Sequence, residues 1–227
     1  MNFANDITLE LKEREAELSL IREGLKKKAS RIPNVRSKNG MAIGTTGFRD
    51  CLYLYLIVRT IKPKACLEVG TYIGSSAVMI AEALYKNGGS GFLTTCDKKR
   101  VNVIPESYSN INIVNHSSHQ LLSALSGVEF DFVFIDGWAS KSTVQKEIPL
   151  LEKCLASNAV LSFHDFKENQ KGKMCKSLID EYIGSGNAAG YFKQNFIWVY
   201  PEVIDIEGVK INNSTLLLIP ERKVENE

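Results

Sequence analysis

No run of apolar residues approaches the roughly 18 needed for a membrane-spanning helix, so no such span is expected. Charge of one sign is equally scarce. The 28 Lys and Arg are nearly balanced by 26 Asp and Glu, and a net charge of +2 leaves no electrostatic footprint for nucleic acid or an anionic membrane. The five cysteines (Cys51, Cys66, Cys96, Cys154 and Cys175) include no C-x-x-C pair. They are expected to be reduced core thiols of a cytoplasmic protein, with no zinc site. The opening stretch MNFANDITLELKERE is acidic and polar, unlike a secretion signal. There is no G-x-G-x-x-G for a dinucleotide and no G-x-x-x-x-G-K-[ST] for a nucleotide phosphate. Internal repeats and low-complexity tracts are also missing, which excludes solenoids and disordered arrays.

What remains is an ordinary globular composition, 44% hydrophobic and 24% charged, over 227 residues, the size of one large domain. Residues 6–28 place Ile7, Leu11, Leu18, Ile21 and Leu25 at helical spacing between charges. The following basic stretch, KKKASRIPNVRSKNGMAIGTTG, reads as a loop or lid, and FRDCLYLYLIVRTI after it as a buried helix. Apolar strand-like runs then alternate with helical stretches. Strands are expected at 65–69, 92–96, 111–115, 131–135, 159–163, 195–200 and 214–219, and helices at 74–86, 119–125, 141–155 and 170–184. Strands that are apolar on both faces and separated by helices imply a Rossmann-like, doubly wound α/β fold. The seven-stranded sheet is mostly parallel and closes with an antiparallel C-terminal hairpin. Residues 1–47 are expected to form an N-terminal helix and lid segment, and residues 48–227 the catalytic domain.

The stretch ACLEVGTYIGSSAVMIAEAL, residues 65–84, carries the chemistry. A strand runs into Gly70-Thr71-Tyr72-Ile73-Gly74 and a helix starts near Ser75. In open α/β sheets ligands bind beyond the carboxyl ends of the strands, and glycines let the backbone come close to them. Glu68 would repel a pyrophosphate at this place and suits a cationic ligand, an amino group or a sulfonium. Asp97 ends the next expected strand, 27 residues after Gly70, where a carboxylate can accept both ribose hydroxyls. A nucleoside with a cationic amino-acid tail is S-adenosylmethionine.

LEVGTYIGSSAVMIAEAL resembles the first motif of class I S-adenosylmethionine-dependent methyltransferases, and is most similar to the small-molecule O-methyltransferases typified by catechol O-methyltransferase and their bacterial relatives. VNHSSHQLLSAL, FDFVFIDGW and VLSFHDF resemble later motifs of that family, in the same order. The resemblance spans about residues 44–184 and implies a methyl transfer from S-adenosylmethionine to an oxygen of a small molecule. It places Glu68, Gly70, Tyr72 and Ser76 at the methionine end, counts Thr71 and Gly74 of the same loop among the cofactor-binding residues, and puts Asp97 on the ribose, Ser118 and His119 at the adenine, and Asp136 and Trp138 near cofactor and metal. In catechol-type enzymes a lysine directly follows the D-x-W motif. Here that residue is Ala139 and the nearest lysine is Lys141, so a catechol substrate is not implied.

Asp136, His164 and Asp165 follow two expected strands, and if those strands are neighbours their side chains converge beside the sulfonium. Two carboxylates and an imidazole suggest a divalent metal that holds two vicinal substrate oxygens; the imidazole favours Mn²⁺, Fe²⁺ or Zn²⁺ over Mg²⁺. The second role for His164 is general base oriented by a carboxylate, which makes His164 and Asp136 the candidate catalytic residues. A third is a structural cap. Competing functions are N-methylation, a non-catalytic S-adenosylmethionine-binding module, and an NAD-dependent dehydrogenase, which the missing glycine fingerprint disfavours. The first helix is expected to cover the cofactor and substrate face or to pair with another subunit in a homodimer, and its apolar stripe is as easily satisfied by the chain's own sheet.

Overall fold

In the computed structural model, residues 3–99, 101–137 and 140–164 are described, together with the backbone of strands at 196–199, 203–206, 209–212 and 216–220; side chains are not described at 3–12, at 141 and in those four strands. The expected helix at 170–184, Trp138, Asp165 and Cys175 lie outside the described residues.

The helices are α1 (Phe3–Ala29), α2 (Phe48–Ile61), α3 (Ser75–Lys86), α4 (Ser118–Ala124) and α5 (Lys141–Glu152). The central sheet contains β3 (Ala65–Val69), β4 (Phe92–Cys96), β5 (Ile111–Val114), β6 (Phe130–Ile135), β7 (Leu155–Phe163), β8 (Phe196–Val199) and β11 (Leu216–Pro220). Their spatial order is β5-β4-β3-β6-β7-β11-β8. The first five are mutually parallel, and β11 runs antiparallel to both β7 and β8. The expected seven-stranded, mostly parallel sheet is therefore present.

Two short hairpins lie outside that expectation. β1 (Ser37–Lys38) and β2 (Met41–Ala42) pair within the stretch read as a loop. Their turn is Asn39-Gly40, both with positive φ (52° and 71°), a conformation these two residues adopt at low cost. β9 (Val203–Ile206) and β10 (Val209–Asn212) pair between β8 and β11, where only a connection was expected. The closing pair is antiparallel as predicted, but its connection carries a hairpin of its own.

Apolar side chains cover both faces of the parallel strands, in two clusters. One packs α1, α2 and α3 around residues such as Leu18, Tyr53, Tyr55, Met79, Phe132 and Phe134. The other packs α4 and α5 against Leu67, Val133, Leu161 and Phe163. α2 is buried nearly all round, as its composition predicted, and ends on Lys62 in the left-handed region before Pro63. α1 belongs to the same core. Its Arg14 pairs with Glu82 on α3 at 2.8 Å and donates to the Tyr55 hydroxyl on α2 at 3.2 Å. Cys51, Cys66, Cys96 and Cys154 are buried free thiols, and burial pushes Cys51 and Cys96 up to about 12. Among the described residues no helix is long and apolar enough to cross a membrane.

The register places the site. Val69 pairs with Cys96 on one side and Ile135 on the other, and Ile135 pairs with Phe163. The residues that leave these strand ends are Asp97, Gly70, Asp136 and His164, in a row along one edge of the sheet. The chain winds outward from β3 through β4 to β5, then returns to β6 and β7 on the other side of β3. This reversal opens a crevice at the edge where the row lies.

Candidate functional site

Gly70 occupies the centre of the row because no other residue fits there. Its φ is 107°, and a Cβ would lie 2.9 Å from the backbone nitrogen of Gly137. Tyr72 also adopts a positive φ, 44°. That turns its backbone N–H onto Asp97 Oδ2 at 2.9 Å, while Asp97 Oδ1 accepts from the Lys99 amide at 2.8 Å. Two backbone donors thus fix the carboxylate, and each oxygen keeps a lone pair for a further donor.

Two recesses share Gly70 as a wall. A cleft of about 280 Å³ is lined by Gly70, Asp97, Lys98, Ser117, Ser118 and Glu147, among others. Ser117 caps α4 in a reciprocal capping box with Gln120, and the Ser118 hydroxyl donates to Glu147 Oε1 at 2.6 Å. On the other side is a narrow hollow of about 20 Å³, room for little more than a water. Its walls include Thr45, Thr46, Thr71, Tyr72, Ser76 and Asp136. Ser75 also borders it, and its Oγ is buried with no hydrogen-bond partner among the described residues.

Thus Gly70, Thr71, Tyr72, Ser76, Asp97, Ser118 and Asp136, all expected from sequence, border one or other of these two recesses. Glu68, Gly74 and His119 line neither. His119 is exposed on α4. Gly74 caps the start of α3 at φ 94°, where a Cβ would strike the Ile104 side chain. Glu68 is fully buried behind the hollow, its two oxygens accepting from the Ser76 and Thr95 hydroxyls, and Thr95 in turn contacts the Thr71 hydroxyl at 2.6 Å.

Burial pushes Glu68 up to about 7, the Ser76 and Thr95 hydroxyls pull the other way, and Asp136 and Asp97 add repulsion. The folded value is above the ordinary 4.5, so folding takes up a proton. The corresponding stability is fully present below pH ~4.5 and is lost as pH rises through ~7, about 3 kcal/mol across that window. Urea titrations at pH 5 and pH 8 should show this loss in the wild type, and a flatter profile in Glu68→Gln. Equal pH dependence in the two proteins would locate the effect elsewhere.

At the other end of the row, Asp136 Oδ1 accepts from His164 Nδ1 at 2.9 Å, and its Oδ2 accepts from the Thr46 hydroxyl at 3.3 Å. His164 Nε2 lies 3.6 Å from Asp50 Oδ2, on the first turn of α2. The imidazole therefore sits between two carboxylates, only about 10% exposed, edge-on to Phe134. Asp136 and His164, two of the three expected metal ligands, are joined to each other and to neighbouring protein groups. Both oxygens of Asp136 and Nδ1 of His164 are engaged with protein groups. Among the described residues no three His, Cys, Asp or Glu side chains are arranged to hold an ion. Asp165, the third expected ligand, lies outside the described residues.

Asp50, Thr46, Ser117 and Glu147 were not identified from sequence. Only the S-x-x-Q spacing of the Ser117 capping box is a local signal; the others reach the site through tertiary packing.

Residues 67–166 match the family described as a methyltransferase domain. Solved structures share the fold. A protein from Klebsiella pneumoniae assigned as an O-methyltransferase matches at 13% identity over 90% of each chain, with a TM-score of 0.59. An O-methyltransferase from Streptomyces achromogenes involved in tomaymycin synthesis, in complex with S-adenosylmethionine, matches at 16% identity over 87% of this chain and 90% of that one, with a TM-score of 0.54. An O-methyltransferase from Bacillus cereus in complex with S-adenosylhomocysteine matches at 13% identity, over 91% and 90% of the two chains, with a TM-score of 0.53. No curated protein matches the chain.

Proposed function

Because residues 67–166 carry a methyltransferase domain on the class I fold, we propose that the protein transfers the methyl group of S-adenosylmethionine to an oxygen of a small molecule. The observation that carries this reading is the row Asp97, Gly70, Asp136, His164 along one sheet edge, with a cleft on one side of Gly70 and a hollow on the other. Asp97 accepts the ribose hydroxyls, and Ser118 borders the adenine in the cleft. The start of α3, with the unpartnered Ser75 hydroxyl, faces the carboxylate of the methionine tail. Asp136 supplies the negative field for its amino group and sulfonium, and Glu68, from behind, adds to it when ionised. His119 is not needed in this arrangement, and Glu68 acts through Ser76 rather than by open contact.

His164 is the base. With its Nδ1 proton donated to Asp136, Nε2 carries the lone pair that takes the proton of the substrate hydroxyl. Asp136 and Asp50 then flank the imidazolium that forms. The oxygen attacks the methyl carbon in line, the carbon–sulfur bond breaks, and S-adenosylhomocysteine leaves neutral at sulfur. The two carboxylates favour the positive charge as it moves from sulfonium to imidazolium.

Calorimetry tests the cofactor reading directly. S-adenosylhomocysteine should bind with micromolar affinity, about −8 kcal/mol. Asp97→Ala should weaken it by roughly 1.5–3 kcal/mol, the worth of hydrogen bonds to a charged group. Tight binding of NAD with no response to S-adenosylhomocysteine would overturn the proposal.

A further inference from the structure

We infer that Arg22, on the N-terminal helix α1, is a positioning residue of the ligand site: its guanidinium holds residues 44–46 as the wall of the hollow beside Asp136, and so makes docking of α1 and filling of the hollow one coupled equilibrium. The inference rests on the cofactor reading above for its ligand, but not for the hold on the wall.

Arg22 is 7% exposed, an uncommon state for a charge that has to leave water. Its donors are aimed at the wall. Nη2 donates to the Thr46 carbonyl at 2.7 Å, Nε to the same oxygen at 3.2 Å, and Nη2 also to the Thr45 hydroxyl at 3.2 Å. Nη1 pairs with Glu23 at 2.9 Å. Thr46, itself buried, passes the constraint on, since its hydroxyl donates to Asp136 Oδ2. Gly44, Thr45 and Thr46 all line the hollow. The opposite end of the segment is tied to the ligand loop, where the Tyr72 hydroxyl donates to the Ile43 carbonyl at 3.2 Å.

The wall is thus fastened from two directions, by α1 through Arg22 and by the glycine loop through Tyr72. The hollow has room for little more than a water, so a ligand group that enters it has to press against both. Anything that tightens the wall must tighten the seat of α1, and the reverse follows by linkage. The geometry needs a planar fork, because one group must reach a carbonyl twice and a hydroxyl besides. A lysine ammonium keeps the charge without that shape.

Hydrogen exchange and calorimetry on the full chain test this, with S-adenosylhomocysteine as the probe and wild type, Arg22→Ala, Arg22→Lys and Thr45→Val as the proteins. Without ligand, exchange over residues 41–51 should speed up about tenfold or more in both Arg22 variants, while β3 and β4 keep wild-type protection. With ligand, wild type should gain protection over 41–51 and over α1 together. Arg22→Ala should bind about tenfold or more weakly and lose the gain over α1, Arg22→Lys should not restore it, and millimolar guanidinium should in part. Thr45→Val should show a smaller loss in the same direction. Unchanged exchange over 41–51 in the ligand-free variants overturns the hold on the wall. Full affinity in Arg22→Ala, or full recovery in Arg22→Lys, overturns the positioning role. Failure of wild type to bind the probe anywhere overturns the cofactor reading and the coupling, while the ligand-free arm still decides the hold on the wall.

Discussion

Replacing His164 by alanine is expected to slow methyl transfer by roughly 10²–10⁴-fold, the usual contribution of a positioned acid or base. Sulfonium methyl donors are reactive, but a neutral hydroxyl is a poor nucleophile until its proton has somewhere to go. In the folded chain His164 is largely shut away from water, with Nδ1 fixed by Asp136 and Nε2 facing Asp50. Removing the ring leaves two carboxylates without the cation that forms between them. The loss should lessen at high pH, where the substrate ionises without help. Asp136→Asn should give a loss of the same kind, because the ring loses its anionic partner and its fixed orientation. The assay is methyl transfer to a panel of vicinal-diol and hydroxylated small molecules, with and without chelator. Excess Mn²⁺ should leave His164→Ala unimproved. Recovery on added metal would make the residue a ligand, and full activity in both variants would make the cluster structural.

Gly70→Ala is expected to cost about 2–6 kcal/mol of stability and to abolish ligand binding. Two effects add. A φ of 107° is strained for any residue with a Cβ, roughly 1–3 kcal/mol. The new methyl would also lie 2.9 Å from Gly137 N and 3.1 Å from the Asp136 carbonyl carbon, and both are backbone atoms that cannot swing aside. Overpacking of this kind costs a further 1–3 kcal/mol or so. For a chain of this size the melting temperature should fall by roughly 4–24 °C. Gly127→Ala is the control. Its φ is also positive, 89°, but nothing lies within 4 Å of the added Cβ, so only the strain remains. Denaturant midpoints and S-adenosylhomocysteine affinity measured on both variants decide the matter. A Gly70→Ala protein as stable and as well liganded as wild type would show that the strand ends can move apart at little cost.

Sequence patterns were most informative where a strand meets the ligand edge. β3 and β4 have the predicted bounds, because an apolar run in each is cut off sharply by a glycine or an aspartate. Asp97, Asp136 and His164 were legible for the same reason: each directly follows such a run, and parallel register carries all of them to one edge. β7 begins at Leu155, four residues before the prediction, since LASN lacks the apolar density that marks a buried strand. The β1–β2 hairpin was missed because two-residue strands have no periodicity to read, although Asn39-Gly40 was a turn signal in plain view. Arg22, Thr46 and Asp50 were not legible at all. Thr46 and Asp136 are 90 residues apart in the chain, and nothing local in either segment announces the other. Glu68 was legible as a carboxylate at the right strand, but its complete burial follows from Ser76 and Thr95 closing over it.

The register of β3 between β4 and β6 also determines when the site comes into being. Cys66 pairs with Leu93 on one side and with Phe132 on the other, so the central strand stays half-matched until the chain beyond residue 130 arrives. Parallel pairings between such distant segments reward the chain only after long loops have closed, which makes them late events in folding. A chain released from synthesis before β6 would hold the glycine loop and Asp97 but no Asp136, and so half a crevice. A ligand that spans Gly70 finds its complete seat only in the finished sheet. Its stabilisation therefore falls on the native state and retards unfolding, leaving the rate of folding to the strands themselves.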